Sequence, residues 1–345
     1  MDNVFLADVL DQPKAMKRAM EYYREYSAQL ALIRSMKPRR LLFIGMGSSH
    51  YCSQGAVIAL NQGGIPARME SASQILHYEM GAVSSDTLLV LTSQSGESGE
   101  IVDILKRLPA DRKIIGITND PNSTLGRRAD ICLLMQVAPE LAVSTRTYLA
   151  SLILSDMVAA AILGEDPLVS LDRFAQAVDA LEAFLQDHAC LQAQITNFLK
   201  HPASICYIGR GYGRATAECG ALFTRETAKY PALSFDSGEF RHGPYEMVDD
   251  AFCAMIFAPS GVGLQLQENL TNAIISHQGR VVFVTDVEVD FDSDRVLVLR
   301  HPAVEERYAP MVQILCPQLF ANDMALHRNF APGVFRQSSK ITTAQ

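Results

Sequence analysis

The sequence predicts an α/β protein made of two tandem copies of one doubly wound, flavodoxin-like parallel-sheet domain. Short apolar runs bounded by Gly, Asn, Asp or Pro alternate with helical patterns, which is typical of parallel strands covered on both faces. The same arrangement recurs in the second half of the chain, so the fold is expected twice. A length of 345 residues suits two domains of this kind.

The internal repeat consists of matching segments at a nearly constant spacing. In each copy a glycine pair follows the first strand, a Ser-Gly pair follows the third, and Thr-Asn or Thr-Asp follows the fourth. The matching pairs are Gly45 and Gly47 with Gly209 and Gly211, Ser95-Gly96 with Ser260-Gly261, and Thr118-Asn119 with Thr285-Asp286.

The patterns also predict the elements in order. In the first copy, strands are expected at 41–45, 66–70, 87–91, 113–117 and 131–135, with helices at 49–61, 99–108 and 145–163. Tyr22, Tyr26 and Leu30, at spacing four, indicate a leading helix. The expected division is a helical segment at 1–36, a first domain at 37–165, a helical connector at 166–200, a second domain at 201–330 and a tail at 331–345.

Composition limits the classes of partner. A net charge of −8 without a basic block argues against nucleic acid. The most apolar stretch, 150–163, contains Ser151, Ser155 and Asp156 and is too short and too polar to span a membrane. No signal peptide is visible after Met1. Seven cysteines without a C-x-x-C pair indicate reduced thiols and a cytoplasmic protein.

The most informative motif is the hydroxyl-rich loop at 92–98. It follows the buried run at 88–91 and precedes a helical stretch, so free backbone N–H groups and the positive end of a helix dipole can bind a phosphate there. A serine-rich turn with an ordinary helix cap is the simpler alternative.

Two other kinds of ligand are disfavoured. Gly45 and Gly47 after a strand, with Glu70 further on, invite a dinucleotide interpretation, but Ser48, Ser49 and His50 stand where the third glycine is needed. The eight histidines lack an H-x-x-x-H spacing, so no metal site is expected. The sequence therefore predicts a small phosphorylated ligand and no cofactor.

Several motifs together resemble the SIS (sugar isomerase) domain family, in the tandem arrangement of the isomerase half of glucosamine-6-phosphate synthase. The resemblance spans nearly the whole chain, in segments 9–13, 47–49, 93–98, 218–222, 225–226, 237–244 and 339–342. It implies that a sugar phosphate is bound by Gly47, Ser48, Ser49, Ser93, Gln94, Ser95 and Ser98. It also implies sugar contacts from Val143, Ser144 and Thr145, in a loop one residue shorter than in the family.

The resemblance further implies three catalytic residues. Glu226 matches the base that moves a proton between C1 and C2, and its apolar helical context suits that role. His242 matches the histidine that opens the sugar ring and reaches its site from the neighbouring subunit, which implies a homodimer. Lys340 matches a tail lysine that forms a Schiff base or polarises the carbonyl oxygen.

The sequence departs from the synthase in two ways. Met1-Asp2 offers no cysteine nucleophile, so use of glutamine is not expected, and Phe223 stands where the synthase has a lysine. The loop 238–248 resembles the fructosamine-6-phosphate deglycases instead. The sequence thus favours a deglycase acting on a 6-phosphorylated sugar–amine conjugate.

Three alternatives remain open. The same residues suit an aldose–ketose phosphosugar isomerase or a glucosamine-6-phosphate deaminase. SIS domains also serve as sugar-phosphate sensors, for which the hydroxyl loops alone suffice. Retention of Glu226, His242 and Lys340 favours an enzyme, and no helix-turn-helix with basic flanks is evident.

Overall fold

The structure is a computed structural model that describes residues 3–140 and 143–337. Its contacts form two compact units. Most of the first unit is residues 14–140 and 144–175, and most of the second is residues 176–335. Each unit contains one five-stranded sheet, which confirms the predicted α/β class and its duplication.

The N-terminal helices and the first sheet follow the predicted order. Helices α1 (Val4–Arg24) and α2 (Ser27–Ser35) form the leading segment. The elements that follow are β1 (Arg40–Gly45), α3 (Ser48–Tyr51), α4 (Gln54–Gln62), β2 (Ala67–Ser71), α5 (Ala72–Gln74), β3 (Thr87–Thr92), α6 (Gly99–Arg107), β4 (Ile114–Thr118), α7 (Thr124–Arg128), β5 (Ile131–Leu134) and α8 (Arg146–Leu163). The strands are all parallel in the order β2-β1-β3-β4-β5, which is the flavodoxin-like order.

The second sheet repeats this topology. Its elements are α9 (Pro167–Leu185), α10 (His188–Leu199), β6 (Ile205–Gly209), α11 (Gly213–Ala228), β7 (Ala232–Asp236), α12 (Ser237–Arg241), β8 (Cys253–Phe257), α13 (Leu264–Ser276), β9 (Arg280–Thr285), β10 (Val296–Arg300), α14 (Pro310–Gln313) and α15 (Leu315–His327). The order β10-β9-β8-β6-β7 is again fully parallel. The repeat read from the sequence is therefore structural.

The core of the first unit explains why its central strands are apolar and buried throughout. All six residues of β3 are buried, because helices cover both faces of the sheet. Leu89 and Leu91 of β3 pack with Ile101 and Ile104 of α6 in one cluster. Burial of each such side chain contributes about 1.5–3 kcal/mol to folding, so these contacts hold α6, and the loop before it, against the sheet.

Helix α8 is the core helix of the first unit. By length and composition it could cross a membrane, with a mean hydropathy of 1.4, but 89% of it is buried inside the fold. The helix begins at Arg146, earlier than the apolar stretch seen in the sequence. Its apolar surface on all sides is therefore explained by packing within the protein.

The structure differs from the prediction in short elements. The helix expected at 49–61 is two helices, α3 and α4, because the chain turns at Cys52 and Ser53, where Ser53 N–H bonds to the His50 carbonyl over three residues. The short helix α7 and the helical turns at 72–82 were not predicted. They contain too few residues for a helical period to be visible.

Candidate active site

The two predicted phosphate loops leave the first sheet at the same edge. Strands β1 and β3 are parallel neighbours, with Ile44 opposite Leu91, so the loops after both strands meet at the carboxyl edge of the sheet. This brings together the residues Gly47, Ser48, Ser49, Ser93, Gln94, Ser95 and Ser98. The chain reverses direction across the sheet between β1 and β3, and doubly wound sheets bind ligands at such a point.

The loop after β1 requires its two glycines. A Cβ atom on Gly45 would overlap with the backbone of Ser49 at the start of α3. Gly47 has a φ of 53°, in the left-handed region, and immediately precedes that helix. The half-buried Ser48 and Ser49 are therefore presented at the sheet edge by a turn that other residues would distort.

The loop after β3 orders its hydroxyls by internal hydrogen bonds. The Oγ atoms of Ser93 and Ser98 are 3.0 Å apart, and Gly96 N–H donates to Ser93 Oγ at 3.2 Å. Ser95 Oγ accepts from Glu97 N–H at 3.2 Å. Gly96 has a φ of 64°, which closes the loop tightly. Hydrogen bonds within the loop thus fix the positions of these serine hydroxyls.

Helix α6 begins directly after this loop. The side chain of Ser98, its N-cap residue, does not bond to the N–H groups of the first turn. Ser98 has the extended backbone of a capping residue, but its side chain makes no capping hydrogen bond. The first intrahelical bond runs from Val102 N–H to the Ser98 carbonyl. The preceding amides of the first turn can therefore donate to an anion, aided by the helix dipole.

Glu97 fixes the loop to the next strand connection. Its carboxylate accepts from Thr124 N–H at 2.5 Å and from Thr124 Oγ1 at 2.9 Å, at the start of α7. The Gln94 carbonyl also accepts from Asn119 N–H at 3.0 Å. The sequence did not predict that Glu97 supports the loop. The only indication in the sequence is that one carboxylate stands in a loop that is otherwise suited to binding an anion.

Glu140 performs a similar role for the predicted sugar-contacting loop. Its side chain is only 4% exposed, and its carboxylate accepts from the N–H and Oγ1 groups of both Thr145 and Thr147 at 2.7–3.0 Å. Thr145 is buried, Ser144 is half-buried and Val143 is buried. The carboxylate therefore fixes the entry into α8, directly after this loop. Glu140 was not predicted to be a site residue.

Glu226 lies in the last turn of α11 in the second unit. It is half-buried, between the exposed Arg225 and the buried Thr227. The helix ends at Lys229, which has a left-handed backbone and whose Nζ donates to the Glu226 carbonyl at 2.7 Å. Phe223, one turn earlier, is fully buried. The Glu226 carboxylate therefore lies next to the buried face of α11, which includes Phe223 and Thr227.

His242 lies just after α12 and is exposed within the chain. The Asp236 carboxylate caps α12 by accepting from the N–H groups of Gly238 and Glu239. His242 N–H bonds to the Glu239 carbonyl at 3.0 Å, and Gly243 continues the chain with a φ of 130°. His242 is therefore placed at the end of a short, capped helix.

Helices α11 and α12 cover opposite faces of the second sheet. On β6, the Tyr207 hydroxyl bonds to Thr224 of α11 at 2.7 Å, whereas Cys206 and Ile208 pack with Phe240 of α12 in one cluster. Successive strand residues point to opposite faces. Glu226 and His242 of one chain therefore lie on different sides of the sheet. Lys340, the third predicted catalytic residue, lies outside the described residues.

These features define a tandem α/β protein with a hydroxyl-rich loop before a helix N-terminus in its first copy. The chain belongs to the SIS domain family, whose model matches residues 35–161 and 198–328. The two matches cover both sheets, so the resemblance found in the motifs holds for the whole fold.

The comparisons with individual proteins agree with this assignment. The chain is 28% identical over 353 residues to a glutamine–fructose-6-phosphate aminotransferase of Staphylococcus aureus, covering 99% of this chain and 58% of that protein. It therefore spans less than two thirds of that relative.

Two solved structures share the fold. The C-terminal domain of glucosamine-fructose-6-phosphate aminotransferase from Francisella tularensis has a TM-score of 0.83 at 21% identity, covering 94% of this chain and 96% of that one. A glucosamine-6-phosphate deaminase from Thermotoga maritima has a TM-score of 0.78 at 19% identity, covering 96% of each chain. At these identities the likeness establishes the fold alone.

Proposed function

We propose that this protein is an enzyme of the phosphosugar isomerase type, acting as a deglycase on a 6-phosphorylated sugar–amine conjugate. The observation that supports this most directly is the loop between β3 and α6. There the Oγ atoms of Ser93 and Ser98 lie 3.0 Å apart in the loop that leads into α6, Ser95 lies between them in the chain, and Ser98 leaves the helix N-terminus uncapped. A phosphate dianion satisfies these donors and the helix dipole together.

The proposed chemistry is a proton transfer followed by hydrolysis. His242 gives a proton to the ring oxygen and the anomeric hydroxyl loses one, so the ring opens. Glu226 removes a proton from C1 of the ketosamine and returns it to C2, which moves the double bond to the C1–N position as an imine. Water adds at C1, the C–N bond breaks, and a hexose 6-phosphate and an amine are released.

Phe223 supports cleavage of an amine conjugate over amine transfer by the synthase route. The resemblance gives the synthase a lysine at this place, three residues before its base. Here the position is a fully buried phenyl ring, so residue 223 supplies no ammonium group. In the proposal, Lys340 supplies the contact with the open-chain carbonyl, either as a Schiff base or by polarising its oxygen.

The proposed enzyme is a cytosolic homodimer. Because Glu226 and His242 of one chain lie on opposite faces of a sheet, a substrate that touches both would take them from two chains. All seven cysteines are free thiols, which suits a reducing compartment.

The experiment is product analysis by mass spectrometry. The purified protein is incubated with fructoselysine 6-phosphate, glucoselysine 6-phosphate, glucosamine 6-phosphate and fructose 6-phosphate. Glu226→Gln tests the base. Glu218→Gln is the matched control, because Glu218 is also a half-buried glutamate of α11 and its bond to Ser234 Oγ can be kept by an amide oxygen.

Release of an amine and a hexose 6-phosphate, lost in Glu226→Gln and kept in Glu218→Gln, is the expected result. Release of ammonia from glucosamine 6-phosphate would show a deaminase instead. Interconversion of sugar phosphates without amine release would show an isomerase. Binding of sugar phosphates without turnover, unaffected by Glu226→Gln, would replace it by a sensor.

A further inference from the structure

The second sheet has its own copy of the phosphate loop. Gly211 follows β6 with a φ of 54°, as Gly47 follows β1 with a φ of 53°. Gly261, which corresponds to Gly96, also has a positive φ and follows a serine after the third strand of its copy. The turn after the first strand is therefore repeated in the second unit, whereas the loop after the third strand differs in the conformation of its glycine, since Gly96 has a φ of 64° and Gly261 one of 153°.

In this second copy, the carboxylate of Asp286 accepts the hydrogen bonds that the loop serine, Ser260, can donate. Its two carboxylate oxygens accept from Ser260 N–H at 2.6 Å and from Ser260 Oγ at 2.7 Å. The corresponding residue of the first unit is Asn119, whose amide bonds to the backbone of Val137 instead and leaves the loop serines alone. The second unit thus has an aspartate where the first unit has an asparagine. Because Asp286 already accepts from the N–H and Oγ groups of Ser260, these two groups cannot donate to a ligand.

Glu306 fills the remaining space. Its carboxylate accepts from the backbone N–H of Val262. A Cβ atom on Gly261 would overlap with Glu306 Oε2, and one on Gly211 would lie 3.8 Å from Oε1. The carboxylate therefore lies against the two glycines whose conformations form the loop.

The electrostatic setting disfavours a further anion beside these two carboxylates. Burial raises the pKa of Glu306, and the nearby Asp286 raises it further, since two carboxylates share one small region. Arg210 borders the same edge, where its Nε donates to Ser237 Oγ at 2.9 Å. The corresponding residue of the first unit is Met46. The second edge thus has a cation of its own but already contains carboxylates.

We propose that Glu306 and Asp286 act as internal substitutes for a phosphate, so that the second unit is closed to anions and each chain binds a single sugar phosphate, in the first unit. The two copies have diverged at this point by side chains that reach the loop from β9 and from the segment before α14. The glycine after the first strand keeps its conformation in both units, and in the second unit carboxylates of the chain itself take the place proposed for the phosphate.

The test counts phosphate sites by isothermal titration calorimetry with inorganic phosphate and with glucose 6-phosphate, using the full chain. The double variant Glu306→Ala with Asp286→Asn removes the carboxylate at the glycines and restores the asparagine of the first unit. Its expected stoichiometry is one site per chain more than that of the wild type. Glu306→Ser with Asp286→Asn repeats the test with a hydroxyl, in case the alanine variant does not fold. Glu288→Gln, a substitution of a glutamate that is 94% exposed, is the control and keeps the wild-type count.

The count also separates this inference from the proposed function. If the first unit binds no phosphate, the proposed function fails, yet the double variant still gains one site over the wild type. Two sites in the wild type, or no added site in either folded double variant, would overturn the inference.

Discussion

Glu226 and His242 lie on opposite faces of one parallel sheet, because α11 and α12 pack against different sides of β6. A base and an acid that serve the same sugar need to reach it together. The arrangement therefore links the proposed chemistry to the assembly of two chains, and this link can be tested apart from the identity of the substrate.

We expect two inactive variants to complement each other. Glu226→Gln and His242→Gln are co-expressed with different tags, and the heterodimer is purified through both tags. One of its two sites then contains both wild-type residues, so about half of the wild-type activity per dimer should return. Each homodimeric variant alone should stay inactive. A heterodimer as inactive as its parents would mean that both residues act within one chain.

Gly96 is expected to be essential for phosphate binding. Its φ of 64° lies in the left-handed region, and a Cβ atom would overlap with the Ser123 side chain. We expect Gly96→Ala to weaken phosphate binding at least about tenfold and to lower the free energy of unfolding by about 1–3 kcal/mol. Titration calorimetry and urea unfolding measure the two effects.

Gly81→Ala is the matched control for this substitution. Gly81 has no atom within 4 Å of an added Cβ and does not have a positive φ. It should leave phosphate affinity and stability nearly unchanged. Equal phosphate affinities for Gly96→Ala and the wild type would contradict the assignment of this loop as the phosphate site.

Glu140 is expected to contribute strongly to the stability of the first unit. Removing its carboxylate leaves four donors of Thr145 and Thr147 without their acceptor in a buried place. Glu140→Ala should lower the free energy of unfolding by about 2–4 kcal/mol. Thr147→Val removes only one of the four donors and should cost about 1 kcal/mol. Urea unfolding measures both, and similar losses for the two variants would argue against the four-bond arrangement.

The fold could be predicted from the sequence because its signals are local. The apolar run at 88–91 and the Gly-rich turns after each strand depend on neighbours in the chain, and their repetition indicated two copies. The hydrogen bonds and contacts that hold the loops in place join residues that are far apart in the sequence and come into contact only after folding. Glu97 bonds to Thr124 in a different strand connection, and Glu306 reaches Gly261 from beyond two further strands. No spacing in the sequence indicates such pairs.

His301 should make the second unit sensitive to mild acid. It is 2% exposed at the end of β10. Its Nδ1–H donates to the Pro302 carbonyl at 2.9 Å, and its Nε2 accepts from Gln313 Nε2 at 3.3 Å. Burial lowers the pKa of His301, although the Pro302 carbonyl and Asp286 oppose the shift. The folded protein therefore favours the neutral ring.

The sign of the effect follows from this lowered pKa. The unfolded chain binds the proton first as the pH falls below the ordinary histidine value of about 6.5. The stabilisation is complete above that pH and is lost as the pH falls toward the folded-state pKa, by at most about 1.4 kcal/mol per pH unit.

His301→Gln should flatten this loss between about pH 7.5 and 5.5 when urea unfolding is followed at each pH. His77→Gln, a substitution of a histidine that is exposed in the structure, is the matched control. If His301→Gln loses stability on acidification as steeply as the wild type does, the buried imidazole is not the group that titrates.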